Sequence, residues 1–307
     1  MRVVVVGTGA VGGYFGGTLA KAGNDVTFIA RGENLKSILN NGLVVNSIKG
    51  NFVIDNPNVT DQIETVASAD VVLVAVKAWQ VCNIAKQIHH LIDDRTVIIP
   101  LQNGVLAADE LSLEINPNNV INGLCRIFCR MESYGVVNHF DAEPTIIFGE
   151  RNNILSERVL RVQEMFQDAG INALIPKDIT AELWKKFLFI CSSGLLAVTR
   201  SSYGTVREIP ETRQMLIGLF AEIYNVAIKY GVILDSNIVD KTIKAIDSYD
   251  YDATSSLTRD VMAGKPSEIE YQNGAVVRLG EKLGVATPIN RFIYSSIIPM
   301  EKKARRK

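Results

Sequence analysis

The sequence predicts an α/β doubly wound parallel sheet followed by a second, all-α helical domain. Short apolar runs alternate with helical stretches in the first half, and several are uninterrupted Val and Ile, as in strands covered on both faces. After about Pro176 the apolar residues recur at helical spacing. Since 307 residues suit about two domains, we expect a first domain of residues 1–176 and a second of residues 177–307.

The first domain contains strand candidates that alternate with helix candidates, which indicates βαβ units. The strand candidates are residues 2–7, 25–30, 71–76, 97–101, 120–127 and 145–149. The helix candidates are residues 12–22, 34–41, 78–90 and 107–113. Residues 136–149 are expected to form an antiparallel hairpin at an edge of the sheet.

The second domain is predicted to be a set of helices. Pro210 and Pro288 suit first-turn positions, and Gly231, Gly264 and Gly284 fall where helices end. The helix candidates are residues 180–198, 210–230, 236–248, 255–263, 267–283 and 288–300. The basic run 302–307 is expected to be a solvated, frayed terminus.

The composition bounds the function. Lys and Arg number 32 against 33 Asp and Glu, a net charge of -1 that argues against nucleic acid or an anionic membrane as partner. No apolar run reaches the length of a membrane span. Cys82, Cys125, Cys129 and Cys191 lack metal-ligand spacing, which predicts reduced thiols, no metal site and a cytoplasmic protein.

A glycine-rich turn follows the first strand and opens the first helix. In this Gly-x-Gly-x-x-Gly pattern, one glycine permits the tight turn, one lets the backbone approach a pyrophosphate, and one permits close strand–helix packing. The helix N-terminus then points at the phosphates. The sequence therefore predicts a Rossmann-type dinucleotide site with the candidate residues Gly7, Thr8, Gly9, Ala10, Val11 and Gly12.

The end of the second strand favours NADPH. An NAD enzyme usually carries an acidic residue there for the adenine ribose, whereas this chain reads Phe-Ile-Ala-Arg-Gly. Arg31 can pair bidentately with a 2′-phosphate. Glu33 lies close enough to complicate this interpretation, although its position is typical of a helix-entry residue.

Polar side chains also follow two later strands, where an open α/β sheet keeps its ligand crevice. Lys77 and Gln80 belong to Lys-Ala-Trp-Gln, and Asn103 belongs to Gln-Asn-Gly. We expect Lys77 and Gln80 to contact the cofactor, and Asn103 to contact the cofactor or the substrate. Surface decoration is the alternative for each.

Polar residues interrupt the apolar helices of the second domain. Trp-Lys-Lys-Phe places Lys185 and Lys186 against a hydrophobic face, where a lysine is suited to proton transfer near neutral pH. Further along are Ser256, in Ser-Ser-Leu-Thr-Arg-Asp, and Glu268, which alternatively serves only as a helix N-terminal charge.

Together these motifs resemble the ketopantoate reductases (2-dehydropantoate 2-reductases) along the whole chain. The resemblance rests on the glycine turn, the Arg31 strand end, Lys-Ala-Trp-Gln, Asn-Gly, Trp-x-Lys, Ser-Ser-x-x-x-Asp and Glu-x-x-x-x-Asn-Gly in this order. It implies that NADPH binds between the domains and gives a hydride to C2 of a small-molecule 2-keto acid, in pantothenate and coenzyme A synthesis.

The resemblance also implies roles for individual residues. By register with Trp-x-Lys, Lys186 is the general acid, and Glu268 is the acidic partner that binds the substrate hydroxyl and helps to keep the lysine charged and oriented. Ser256 corresponds to the serine that binds the substrate carboxylate, and Asn103 to the crevice asparagine. The apolar helices fit a homodimer or a core within one chain equally well.

Two positions depart from the family pattern. Asparagines four and eight residues after the lysine help to bind the far hydroxyl of ketopantoate, and here they are Ile190 and Gly194. Nearby Ser192, Ser193, Thr199 and Ser201 are alternative hydroxyl donors if the helix is broken. Two other hypotheses therefore stay open: a reductase of a more hydrophobic 2-keto acid, and a non-catalytic NADPH sensor.

Overall fold

The computed structural model describes residues 1–306 in two compact units. The first unit comprises Met1–Gln102 and Leu106–Ile179. The second comprises Asn103–Val105 and the chain from Thr180 onward. A loop of the α/β half thus supplies three residues, Asn103 among them, to the helical unit.

The first unit contains a parallel sheet with helices and a second sheet. Its elements are β1 (Arg2–Val6), α1 (Ala10–Lys21), β2 (Asp25–Ile29), α2 (Gly32–Asn41), β3 (Leu43–Ser47), β4 (Phe52–Ile54), β5 (Asn58–Thr60), β6 (Val71–Val74), α3 (Val81–Gln87), β7 (Val97–Pro100), α4 (Ala107–Leu111), β8 (Asn122–Ser133), β9 (Val136–Gly149), α5 (Glu157–Asp168) and β10 (Asn172–Leu174).

The parallel sheet has the strand order β5-β2-β1-β6-β7, so the winding direction changes beside β1. Both faces of β1 are buried, as its uninterrupted valines predict. Val3 and Val5 pack in one apolar cluster with Phe15 of α1, whereas Val4 and Val6 pack in another with Ile84 of α3. The doubly wound α/β prediction is confirmed.

The second sheet corrects the predicted hairpin. Residues 136–149 do not form a hairpin by themselves: they are the single strand β9, which pairs antiparallel with β8 in a separate sheet of order β10-β9-β3-β4. An isolated bridge between Ile98 and Val120, just before β8, joins this stretch to β7. β9 pairs with β3, and both strands place apolar residues in the cluster around α1. The sequence analysis did not predict β3.

The second unit is helical throughout its described residues, and the predicted all-α character is confirmed. Pro210 and Pro288 occupy the first turns of their helices, and Gly231 and Gly284 end helices in the left-handed conformation. The helices are α6 (Ile179–Ile190), α7 (Ser192–Thr199), α8 (Tyr203–Glu208), α9 (Pro210–Tyr230), α10 (Ile238–Asp247), α11 (Ser256–Met262), α12 (Asn273–Leu283) and α13 (Pro288–Ala304).

Three boundaries differ from prediction. The helix expected over 180–198 is interrupted at Cys191, whose carbonyl accepts a hydrogen bond from Asn273 Nδ2 (3.1 Å). The helix expected over 267–283 begins only at Asn273, after a 3₁₀ turn at Ile269–Tyr271. The basic terminus is not frayed up to residue 306: α13 continues to Ala304, and Arg305 donates to the Ser267 carbonyl.

Candidate active site

The glycine turn between β1 and α1 requires residues without a Cβ at two positions. Gly7 has φ +100°, and a Cβ there would lie 2.8 Å from the Val76 backbone nitrogen. A Cβ on Gly12 would overlap the Gly7 carbonyl oxygen. Gly7 therefore permits the turn, and Gly12 permits α1 to pack against it.

The N-terminus of α1 is open at Gly9. Gly9 is the N-cap, no side chain caps the helix there among the described residues, and a Cβ on Gly9 would meet nothing within 4 Å. The first-turn N–H groups of a helix have no partner within it, and here they start at Ala10 and Val11. This space and these donors fit a dinucleotide pyrophosphate.

Thr8 supports the turn through its own hydrogen bonds. Its buried hydroxyl donates to the Ile29 carbonyl (3.1 Å), and its carbonyl accepts from Asn34 Nδ2 (2.7 Å). The Thr8 side chain thus ties the turn to the end of β2, and the Thr8 carbonyl ties it to α2.

Arg31 lies exposed at the N-cap of α2, directly after β2 and Ala30. Its Nη2 donates to Gln87 Oε1 (3.0 Å), an exposed contact that a phosphate would displace at little cost. Glu33, the nearby acidic residue, accepts from Lys36 Nζ at 2.7 Å within the first turn of the helix. Because Glu33 is paired with Lys36, the Arg31 guanidinium is the charged group at the end of β2 that a phosphate can bind.

Lys77 and Gln80 lie in a short 3₁₀ turn after β6. Gln80 Oε1 accepts the Lys77 backbone N–H (3.2 Å), and the exposed Lys77 ammonium lies 5.8 Å from the centre of the Trp79 ring. Gln102, to which the sequence analysis gave no role, donates from Nε2 to the carbonyls of Val74 (2.8 Å) and Val76 (3.0 Å). Gln102 therefore fixes the backbone that carries Lys77.

In the second unit, Asn103 and Glu268 are adjacent although they are far apart in sequence. Asn103 Nδ2 donates to Glu268 Oε2 at 3.3 Å, and Glu268 is only 8% exposed. Gly104 has φ +115°, and a Cβ there would lie 2.9 Å from the Tyr271 carbonyl oxygen. The close approach of Gly104 to the Tyr271 turn is what brings the asparagine to the carboxylate.

The two lysines of α6 have different surroundings. Lys185 Nζ donates to Glu182 Oε1 (2.9 Å), one turn earlier on the same helix. Lys186 is half-buried, beside the buried Phe187 and one turn before Ile190. Lys185 is thus engaged in an ordinary helix-surface ion pair.

Ser256 is the exposed first residue of α11. The preceding serine, Ser255, is the N-cap, and its Oγ accepts the Thr258 N–H (3.1 Å). The Thr258 hydroxyl donates in turn to the Ser193 carbonyl (3.0 Å), which attaches α11 to α7. Of the two serines, Ser255 stabilises the helix end and Ser256 lies on the surface.

The space beside Gly194 is filled by neighbouring side chains, so the glycine does not enlarge a pocket. It is buried in α7, and a Cβ there would overlap Asn273 Oδ1 and lie 2.6 Å from Ile293 Cγ2. Asn273 Nδ2 also donates to Asn290 Oδ1 (2.9 Å), and Asn290 Nδ2 donates to the buried Glu222 (2.8 Å). A carboxamide from α12 therefore occupies the place of a side chain at position 194.

The alternative hydroxyl donors are used within the fold. Ser192 Oγ donates to the Phe189 carbonyl (2.6 Å), Thr199 Oγ1 to Leu195 (2.8 Å), and Ser201 Oγ to Thr199 (3.0 Å). Ser193 is buried. An aromatic cluster covers the end of α6, where the rings of Phe189, Tyr203 and Tyr249 lie 5.3–5.9 Å apart.

Among residues 1–306, no three His, Cys, Asp or Glu side chains lie together so as to hold a metal ion. No helix in this range has the combined length and apolar character needed to cross a membrane. All four cysteines are free thiols, and burial raises the pKa of the Cys191 thiol well above its ordinary value.

Comparison with known proteins agrees with this architecture. Residues 3–153 match the family model of the ketopantoate reductase PanE/ApbA, and residues 178–301 match that of its C-terminal domain. The uncharacterized oxidoreductase YkpB of Bacillus subtilis (strain 168) is 31% identical, covering 97% of this chain and 98% of its own.

Solved structures share the fold. A PanE/ApbA family ketopantoate reductase from Ralstonia eutropha JMP134 superposes with a TM-score of 0.91 at 27% identity, covering 99% of this chain and 100% of that one. D-mandelate dehydrogenase with NADH and anilino(oxo)acetate has a TM-score of 0.89 at 23% identity over 99% and 100% of the two chains, a likeness of fold. The predicted resemblance is confirmed: the chain belongs to the ketopantoate reductase family, oxidoreductases that act on a CH–OH group with NAD(P)H.

Proposed function

We propose that this protein reduces a 2-keto acid with NADPH, and that ketopantoate, reduced to pantoate for pantothenate and coenzyme A synthesis, is its first candidate substrate. The observation that carries the proposal is the Asn103–Glu268 hydrogen bond, 3.3 Å long, in the unit whose α6 holds Lys186. A non-catalytic sensor would need neither a buried carboxylate bonded to this amide nor a lysine proton donor in the same unit.

The chemistry divides between the cofactor and the side chains. The glycine turn would hold the pyrophosphate of NADPH, and the reduced nicotinamide of that cofactor would supply the hydride that adds to C2 of the keto acid. The Lys186 ammonium donates its proton to the C2 oxygen as that oxygen gains negative charge, which stabilises the transition state more than the ground state. Solvent then reprotonates the lysine.

The other polar residues bind and orient the substrate. Glu268 accepts the hydrogen bond of the hydroxyl that forms at C2 and holds the lysine in place. Asn103 is close enough to fix the Glu268 carboxylate, and it also offers its amide to substrate or cofactor. Ser256, exposed at the start of α11, binds the substrate carboxylate.

The preference for NADPH is tested at Arg31. Replacing Arg31 with Ala removes the guanidinium that pairs with the 2′-phosphate, so we expect the Kd of NADPH to rise about 10–100-fold, as for a charge-assisted bidentate pair. The Kd of NADH should change by less than about threefold, because NADH lacks that phosphate. Fluorescence titration of both cofactors measures this, with Lys36→Ala as a nearby charge-loss control. An equal effect on the two cofactors would refute the role.

Ile190 and Gly194 favour a second candidate, a more hydrophobic branched or aromatic 2-keto acid. Neither residue offers a side-chain hydrogen bond to a far hydroxyl, and the rings of Tyr203 and Tyr249 pack against Phe189, the residue before Ile190 in the chain. An apolar wall gives little selectivity for an added hydroxyl. The mandelate dehydrogenase likeness adds a protein of this fold named for an aromatic substrate.

A substrate panel separates these candidates. Purified protein with NADPH or NADH is mixed with ketopantoate, 2-ketoisovalerate and phenylpyruvate, and the loss of reduced cofactor is followed by absorbance. We expect turnover with NADPH, with ketopantoate giving the highest kcat/KM. A higher kcat/KM for phenylpyruvate or 2-ketoisovalerate would establish the second candidate instead. Measurable NADPH binding with no turnover of any acid would contradict both and leave the sensor.

A further inference from the structure

Glu268 lies in a short segment that is held from both sides by charged residues of α12 and α13. The carboxylate is almost fully buried, and the residue is the N-cap of the 3₁₀ turn Ile269–Tyr271. A 3₁₀ turn of this length has few hydrogen bonds of its own, so its position depends on what its neighbours contact.

On the N-terminal side, the buried Glu301 of α13 holds Ser267. Glu301 Oε2 accepts both the Ser267 backbone N–H (2.8 Å) and the Ser267 hydroxyl (2.6 Å). Arg305 Nε lies 2.6 Å from Glu301 Oε1, and Arg305 Nη2 donates to the Ser267 carbonyl (3.3 Å). Every polar group of Ser267 is thus bonded to the last turns of α13.

On the C-terminal side, Glu270 is held in the same manner. The Tyr294 hydroxyl donates to Glu270 Oε2 (2.5 Å), Arg278 pairs with Glu270 Oε1, and Arg278 Nη2 donates to the Glu270 carbonyl (3.0 Å). Burial, followed by the hydrogen bond and charge of Glu270, raises the pKa of Tyr294 to about 12. The phenol therefore remains a donor across the range of an enzyme assay.

Burying Glu301 is costly, and stability alone explains it poorly. The carboxylate is 6% exposed, and a buried ion pair is often no more stabilising than apolar residues of the same volume. Its hydrogen bonds go to the residue next to Glu268, where a displacement of about 1 Å costs on the order of 100-fold in rate.

We propose that Glu301, bonded to Ser267 and paired with Arg305, is a positioning residue that fixes the Glu268 carboxylate for the reduction. This inference rests on the proposed function, because it assumes that Glu268 acts on the substrate. Glu301 itself contacts neither substrate nor cofactor. Its effect on the rate passes through Ser267 and the backbone of Glu268.

A double-mutant cycle between Glu301 and Glu268 tests this. Glu301→Gln keeps the size and one acceptor but loses the charge, and we expect kcat to fall about 10-fold while the KM of NADPH stays within about twofold. In the Glu268→Gln background the same change should leave kcat within about twofold, because the carboxylate to be positioned is gone. Glu281→Gln is the control. It removes an exposed ion pair between Glu281 of α12 and Arg291 of α13, and it should leave kcat unchanged.

The outcomes are distinct. An equal fold loss in both backgrounds, or no loss in either, would overturn the positioning role. Full kcat in the Glu268→Gln single variant would instead show that the proposed role of Glu268 is wrong. If Glu301→Gln does not fold, Ser267→Ala takes its place in the cycle, since it removes only the hydroxyl bond to Glu301; the same non-additivity is expected with a smaller loss.

Discussion

Replacing Lys186 with Ala is expected to lower kcat about 100–10,000-fold, the range that a positioned general acid contributes. The C2 oxygen gains its charge while the hydride is transferred, and without the ammonium only water can protonate it. The Kd of NADPH should stay within about threefold, since the cofactor binds mainly at the glycine turn. Steady-state oxidation of NADPH with a saturating 2-keto acid gives kcat, and fluorescence titration gives the Kd.

Lys185→Ala is the matched control, one residue away on the same helix. Lys185 is already paired with Glu182 at 2.9 Å, and an i,i+3 pair on a partly exposed helix face contributes little. We expect its kcat to stay within about threefold of the wild type. Comparable losses in the two variants, or a larger loss at Lys185, would show that the register of the catalytic lysine is displaced by one.

The sequence was sufficient for the elements whose burial is encoded locally. The uninterrupted valines of β1 predicted a strand covered on both faces, and both faces are buried. Gly7 and Gly12 predicted a turn against which a helix packs closely, and a Cβ on either would collide with backbone. Pro210 and Pro288 marked helix starts because proline lacks the N–H that a first turn does not use.

Elements whose existence depends on distant partners were missed. β5 is three residues long, Asn58–Thr60, and it is a strand because it pairs with Thr27–Ile29 of β2. The break at Cys191 depends on Asn273, which lies 82 residues further along the chain. The end of α13 was expected to fray because no local pattern indicates that its charged residues bind Ser267. In the structure, Glu301 and Arg305 are both hydrogen-bonded to Ser267.

The candidate site divides in the same way. Residue types and the family resemblance singled out Asn103 and Glu268, and the fold brings this pair within hydrogen-bonding distance. Local pattern gave no sign of Gln102 as the link to Val74 and Val76, because its contacts are to backbone carbonyls. The roles proposed for Lys186 and Glu268 remain predictions, which the variants described above test, and the role of Ser256 also remains a prediction.

The two departures from the family pattern differ physically, and that difference predicts opposite results for restoring an asparagine. At Gly194 a new side chain would overlap the Asn273 carboxamide and crowd Ile293, in a place where the chain is fully buried. At Ile190 the residue is half-buried at the end of α6, where α7 does not continue the helix. Position 194 is therefore closed to substrate, and position 190 is the one that can face it.

Gly194→Asn is accordingly expected to lower the free energy of unfolding by about 2–5 kcal/mol, from overpacking and from broken hydrogen bonds of Asn273. It should not improve turnover of ketopantoate. Ile190→Asn should lower stability by about 1 kcal/mol or less and raise kcat/KM for ketopantoate relative to 2-ketoisovalerate about 10-fold, because the new amide can bind the far hydroxyl. Denaturant unfolding and the two-substrate comparison measure these effects.

Adding Asn273→Ala to Gly194→Asn removes the colliding carboxamide, so the double variant should be more stable than the sum of the single losses predicts. A Gly194→Asn protein as stable as the wild type, with a gain in ketopantoate turnover, would place position 194 on the substrate and contradict the packing argument.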